Sequence, residues 1–150
     1  NSVKTNGDVF LTTSANGKEW TKLFQLGSSA DEVFPAVAAY NGRTLVSFYT
    51  RTYDPNGIGL DFAYTNAVGL PTNFNNSFTR LTTQTSNPQV QFVGIGAVSG
   101  QELQGVFIGD YTAVAMGSDL VAHPMWTDFR GKPGVTLPNQ DAYGQAIPLR

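Results

Sequence analysis

Two stretches of the chain repeat one another, and this repeat limits the fold more than any other feature. AVAAYNGRTLVSFYTRT (Ala36–Thr52) lies over AVAMGSDLVAHPMWTDF (Ala113–Phe129) without a gap, at a shift of 77. Ala-Val-Ala meets Ala-Val-Ala, Tyr49-Thr50 meets Trp126-Thr127, and the turn Asn41-Gly42 meets Ser118-Asp119. Further on, LDFAYTN matches QDAYGQA at a shift of 80, which pairs Asp61 with Asp141. Asp8 holds the same place in GDVFLTT, and TKLFQL resembles TRLTTQ, with Lys22-Leu23 over Arg80-Leu81. Self-similarity at a fixed period marks a supersecondary block that packs against its own copies.

The block is made of strands. Expected strands are Val9–Thr13, Lys22–Leu26, Ala36–Tyr40, Thr44–Thr50, Asp61–Thr65, Phe78–Thr82, Val90–Val93, Val106–Ile108, Ala113–Met116, Leu120–Trp126 and Ala142–Ile147. They are short, rich in Val, Phe, Tyr and Thr, and bounded by Asn-Gly, Pro-Asn-Gly, Asn-Pro and Lys-Pro-Gly turns. That punctuation belongs to all-β sandwiches, barrels and propellers. No window carries a sustained i, i+3, i+4, i+7 apolar pattern, so no long helix is expected. RTLVSFYT is apolar on both faces and predicts an interior strand with sheets packed on either side.

Composition agrees. Only 13% of the 150 residues are charged, against roughly 25% in average domains. Gly and Thr number 16 each, while Lys and Glu number 4 and 3; this mix suits strands and tight turns. The net charge of −2, with no basic run, argues against nucleic acid or an acidic membrane surface as a partner. No apolar run approaches the length of a membrane-spanning helix. The absence of cysteine excludes a disulfide scaffold and thiolate-bound zinc.

One period therefore reads as a short inner strand, a turn, an apolar strand, a long turn, an Asp-led strand, a turn and an outer strand. Four antiparallel strands in this order make a propeller blade. The expected fold class is all-β, a β-propeller of four-stranded antiparallel blades with about two to two and a half blades present. Residues 1–30 would be the end of one blade, 31–85 a full blade, and 86–150 an insertion plus most of a further blade. Such a chain cannot close a ring of four to eight blades alone. It is expected to be part of a longer polypeptide, or to close by self-association.

Ser14-Ala15-Asn16-Gly17-Lys18-Glu19-Trp20 then falls between the third and fourth strands of the first blade. It resembles the Asp-box (BNR) turn of sialidase-like β-propellers, where Ser, Asp, Gly, Thr and Trp lock a hairpin. Here Asn16 replaces the Asp, Glu19 replaces the Thr, and the turn is one residue short. DEVFPAVAAYNGRTLVSFYTRTYDPNG and GVFIGDYTAVA with HPMWTDFRG and NQDAYGQA are similar to bacterial exo-α-sialidase-like proteins, over about Asp8 to Ile147.

The resemblance implies an extracellular or cell-surface setting and a glycan ligand, with sialoside hydrolysis as one activity. In that chemistry three Arg hold the substrate carboxylate, a Tyr–Glu pair is the nucleophile and an Asp is the acid/base. Asp110 and Tyr111, and Asp31 and Glu32, precede the innermost strands of successive blades and are the candidate catalytic residues. They can equally cap turns, or together hold Ca²⁺ through hard oxygen ligands; no other cofactor is implied. Arg51 and Arg130 follow the second strands and, with Trp126, are the candidate substrate-binding residues. Trp126, Tyr111 and Tyr49 are also candidate stacking groups. Asp61 and Asp141 recur at one blade position and read as structural. Glu102 reads as a solvated loop residue, and lone His123 as a strand residue before Pro124. DPNGIGLD fails as a calcium loop and reads as a hairpin turn. Three function classes stay open: part of a sialidase-like glycosidase, a non-catalytic glycan- or protein-binding propeller, and a structural module of a larger surface or secreted protein.

Overall fold

The computed structural model describes residues 7–69, 77–88, 93–95, 102–104, 108–109, 111–130 and 140–149, with backbone alone at 93–95 and 102–104. The protein is all-β, with no helix among the described residues. The strands are β1 (Val9–Leu11), β2 (Phe24–Leu26), β3 (Glu32–Tyr40), β4 (Arg43–Thr50), β5 (Asp61–Val68) and β6 (Thr79–Arg80), followed by β7 (Val93–Ile95), β8 (Glu102–Gln104), β9 (Ala113–Met116), β10 (Val121–Asp128), β11 (Asp141–Gly144) and β12 (Ile147–Pro148). All pairing is antiparallel. β1–β2 and β7–β8 are two-stranded, β3-β4-β5-β6 is a four-stranded meander, and β10 is the centre of a second four-stranded sheet. None of these sheets closes on itself among the described residues.

The repeat is visible in the pairing. Thr50 faces Asp61 across β4–β5, and Asp128 faces Asp141 across β10–β11. β9 lies on one side of β10, while β11 and β12 continue one another along the other side in a single register. The expected strand Ala142–Ile147 is thus interrupted at Gln145-Ala146. The break leaves an open cleft of about 290 Å³ lined by His123, Pro124, Met125, Gly144, Gln145 and Ala146.

The register of β10 differs from the gapless alignment. β3–β4 is joined by a two-residue turn with Asn41 at φ 43° and Gly42 at φ 71°, the left-handed pair of a type I′ hairpin. Between β9 and β10, Gly117 N donates to Val121 O and Leu120 sits at φ 62°. That is a three-residue loop ending in a left-handed residue. The extra residue moves β10 on by one, so Ala36 and Ser47 correspond to Ala113 and Met125. Trp126 therefore matches Phe48, and Asp128 matches Thr50. In a strand one position is one face.

Faces decide the packing. RTLVSFYT is buried on both sides, as its pattern predicts: Leu45, Val46, Phe48 and Tyr49 are all 2% exposed or less. Val46, Phe48 and Ala63 pack with Val9, Phe24 and Leu26 of the β1–β2 hairpin. Leu45, Tyr49 and Phe62 pack on the other side with Ala122, Trp126 and Ile147. The Phe62 and Trp126 rings stack at 4.9 Å between centroids. The layer order is hairpin, β3–β6 sheet, β9–β12 sheet.

One expected strand start moves, and one expected loop residue lies in a strand. β3 starts at Glu32, four residues before Ala36, because Glu32 and Val33 pair with Thr50 and Tyr49 across an irregularity at Phe34-Pro35. Pro35 has no N–H to donate, and Phe34 takes φ 52°. Glu102 opens strand β8 instead of lying in a loop. The expected strand Val106–Ile108 falls largely outside the described residues.

Candidate functional site: the polar end of the stacked sheets

β3 and β9 begin, β4 and β10 end, and β5 and β11 begin at the same end of the stack. Two links hold the two sheets level there. Thr112 Oγ1 donates to Phe34 O at 2.9 Å. The Tyr49 hydroxyl donates to Thr127 O at 2.8 Å and accepts from Thr127 N at 2.9 Å. β9 pairs with β10 only as far as Ala113–Met125, so the phenol takes up the backbone groups of Thr127 on the side that β9 leaves open. Burial pushes the Tyr49 hydroxyl's pKa up, and the bonds with Thr127 oppose this only in part.

Adjacent residues at the start of β3 have different surroundings. Asp31 is partly exposed; its Oδ1 accepts from Gly7 N at 3.0 Å and its Oδ2 lies 3.5 Å from Arg51 Nε. Arg51 is also anchored by its guanidinium to Gly57 O at 2.6 Å. Glu32 is enclosed, at 1% exposure. Its Oε1 accepts from Ser28 N, Ser28 Oγ and Thr50 Oγ1 at 3.0–3.1 Å. Thr52 Oγ1 contacts both Ser28 Oγ (2.6 Å) and Thr50 Oγ1 (2.8 Å), closing a ring of four oxygen-bearing groups. Glu32 Oε2 has no hydrogen-bond partner among the described residues. It rests on Gly27, which has φ +100°, and a methyl group there would overlap the carboxylate. Only glycine satisfies both the close approach and the left-handed backbone.

Tyr111 is 86% exposed and opens the segment that Thr112 ties to Phe34, itself 45% exposed. Asp110 lies outside the described residues. Of the four candidate catalytic residues, the structure thus sets Asp31 and Tyr111 on the accessible surface of this end, and Glu32 inside.

The candidate binding residues take other positions. Trp126 is buried between Phe62 and Tyr143, and its Nε1 donates to Asp128 Oδ2 at 3.2 Å. The Arg130 guanidinium pairs with Asp128, bonds to Thr83 Oγ1 at 3.1 Å, and lies over the Tyr143 ring at 4.3 Å. Burial of Asp128 favours its neutral form. Hydrogen bonds from the Arg130 side chain and backbone and from Trp126 outweigh this and hold its carboxyl below the ordinary range. Arg130 is correspondingly raised by Asp128. Asp61 is fully buried and accepts from Arg80 at 2.7 and 3.0 Å, Thr82 Oγ1 at 2.6 Å and Thr85 Oγ1 at 2.9 Å. Asp54 shapes its turn by accepting from the backbone N–H of Gly59, Asn56 and Ile58, which lowers its pKa.

SANGKEW closes on itself. Ser14 Oγ accepts from Gly17 N at 2.8 Å, and Asn16 Oδ1 accepts from Lys18 N and Glu19 N at 2.9 Å each. Trp20 stands outside this lock, 60% exposed. His123 lies on the exposed face of β10. Among the described residues no three His, Cys, Asp or Glu side chains gather as a metal-binding group.

Sequence reasoning did not single out Phe34 or the Ser28, Thr50 and Thr52 hydroxyls. Pro35 marks an irregular backbone before it, but no local pattern encodes a left-handed Phe. The hydroxyls come together only through pairing of distant segments. Comparison with family models, curated proteins and solved structures finds no match to this chain.

Proposed function

We propose that the stacked sheets are consecutive blades of a sialidase-like β-propeller, and that the polar end binds a glycan without cleaving it. The observation that carries this reading is the exposure of Tyr111 and of Phe34, whose carbonyl Thr112 binds, at the end of the stack that also carries the Asp31–Arg51 couple. An aromatic face offers a partner for the C–H face of a sugar ring, and carboxylate and guanidinium groups offer acceptors and donors to its hydroxyls. Hydrolysis would need carboxyl groups open to the glycosidic bond. Glu32, Asp61 and Asp128 are each 1% exposed or less, and all three are engaged with neighbours. Arg51 and Arg130 are both tied to carboxylates of this chain, which weakens a role as free clamps for a substrate carboxylate. An extracellular or cell-surface setting accompanies this reading.

The test is a glycan array followed by isothermal titration of the best ligand. Tyr111→Ala is expected to weaken binding at least about tenfold, the equivalent of ~1.4 kcal/mol, and to leave the melting temperature unchanged because the ring is exposed. Binding unaffected by Tyr111→Ala would reject the site. Turnover of a fluorogenic sialoside above background, abolished by Tyr111→Phe, would reject the non-catalytic reading in favour of the glycosidase.

A further inference from the structure

The sequence holds four Asn-Gly pairs: Asn6-Gly7, Asn16-Gly17, Asn41-Gly42 and Asn56-Gly57. In such a pair the glycine nitrogen can attack the preceding side-chain amide, because glycine has no Cβ to shield the approach. The fold treats the four nitrogens unequally. Gly7 N donates to Asp31 Oδ1 at 3.0 Å, Gly17 N to Ser14 Oγ at 2.8 Å and Gly57 N to Asp54 O at 2.9 Å. Gly42 N has no acceptor among the described residues. Asn6 itself lies outside them.

Conformation and solvent access do not separate the other three pairs. Gly17, Gly42 and Gly57 have φ of 70°, 71° and 65°, and each has open space where a side chain would stand. Asn16, Asn41 and Asn56 are all exposed. What differs is the amide hydrogen, and turn type is the reason. Gly57 takes the closing position of its own turn, so its N–H is the bonded one. In the two-residue hairpin at Asn41-Gly42, Tyr40 pairs with Arg43, and the second turn residue is left with an N–H that closes nothing.

We infer that Asn41 is a site of spontaneous deamidation in the folded chain. Hydroxide takes the Gly42 amide proton, the nitrogen attacks Asn41 Cγ, and the adduct expels ammonia to leave a cyclic succinimide. Water then opens the ring at either carbonyl. One C–N cleavage gives aspartate and the other gives isoaspartate. Water is the only co-reactant, and nothing is oxidised. At Gly17 and Gly57 the N–H must first leave its acceptor, which slows the same step by about five- to tenfold. Isoaspartate lengthens the backbone of the turn. β4 is buried on both faces and keeps its register, so the added length falls where Gly42 O accepts from Gly69 N at 2.7 Å. None of this rests on the glycan reading.

The folded chain, and the same chain in guanidinium chloride, are held at mildly alkaline pH and then digested. Mass spectrometry follows the peptides containing Asn16, Asn41 and Asn56, with aspartate and isoaspartate forms separated by chromatography. In the folded chain Asn41 is expected to deamidate at least about fivefold faster than Asn16 and Asn56. In denaturant the three rates should converge. In the isoaspartate-bearing fraction the Gly69 amide should exchange its hydrogen faster; unchanged exchange there would overturn the placing of the added length. A folded-state rate at Asn41 no higher than at Asn16 and Asn56 overturns the inference. So does the same ranking in denaturant, because the free N–H of the folded turn would then not be its cause.

Discussion

Replacing Asp61 by Ala removes the acceptor that fastens β6 and the loop after it to the start of β5. Four hydrogen bonds converge on its carboxylate, from Arg80 Nε and NH2, Thr82 and Thr85. Breaking a buried ion pair from one side costs about 3–5 kcal/mol when the remaining charge stays buried. The Arg80 side chain is one-third exposed, so it can turn to water, and its share falls to about 1 kcal/mol. Thr82 is 5% exposed, and its hydroxyl stays behind without this acceptor, at about 1 kcal/mol or more. Thr85 is partly exposed, so its hydroxyl can turn to water and loses less. The expected total is about 3 kcal/mol, or a fall of about 6–12 °C in melting temperature for a domain of this size.

Asp8 is the control built into the repeat. It stands at the corresponding place just before β1 and accepts from Gln25 Nε2 at 2.8 Å on the surface. Asp8→Ala is expected to cost less than about 1 kcal/mol. Urea denaturation of both variants, with m-values checked for equality, makes the comparison. Equal losses from Asp61→Ala and Asp8→Ala would refute the account of a buried clamp.

Tyr49→Phe leaves Thr127 N–H and C=O without their phenolic partner; a loss of about 2 kcal/mol is expected, with faster hydrogen exchange at the Thr127 amide as the specific readout. Gly27→Ala is expected to destabilise by more than Gly17→Ala. Both are left-handed, but only Gly27 faces Glu32 while Gly17 faces open space; chemical denaturation compares them. Asp128 is lowered in the folded state, so its contribution is full above the unfolded carboxylate value of about 3.9. That contribution is lost as pH falls through the lower folded value. Stability measured from pH 7 down to 2 should therefore drop in the acid range, and Asp128→Asn should flatten that drop.

The strand content and the interior position of RTLVSFYT were legible because burial on both faces leaves a continuous apolar run. The Asp61–Asp141 correspondence was legible because both residues open a strand at one register position. The contents of the polar end were not. Asp31 and Glu32 are neighbours in sequence, yet one meets Arg51 and solvent and the other is enclosed and meets a set of hydroxyls. That difference is made by Ser28, Thr50 and Thr52, which no spacing rule joins. The gapless alignment set Trp126, a candidate stacking group, over Tyr49. Its true counterpart is Phe48, on the opposite face of the strand.

That displacement comes from one residue in one turn, and the turn itself can be used to test it. Replacing Ser118-Asp119-Leu120 by Asn-Gly gives the β9–β10 connection the two-residue form found at Asn41-Gly42. β10 is held by β11 and β12 in a common register and by Trp126 in the core, so β9 must give way. A one-residue slip turns Val114 and Met116, both packed on the core, toward the open face and brings Ala113 and Ala115 inward. Full burial of such side chains contributes about 1.5–3 kcal/mol each. Val114 and Met116 are partly buried, so about half of that is at stake for each, and the shortened variant should lose about 2–3 kcal/mol. A three-residue loop of other sequence, Ser-Asp-Gly, should keep stability within about 1 kcal/mol of the native protein. Denaturation midpoints of the two loop variants separate loop length from loop composition. A shortened loop with native stability would mean that β9 does not depend on its register with β10.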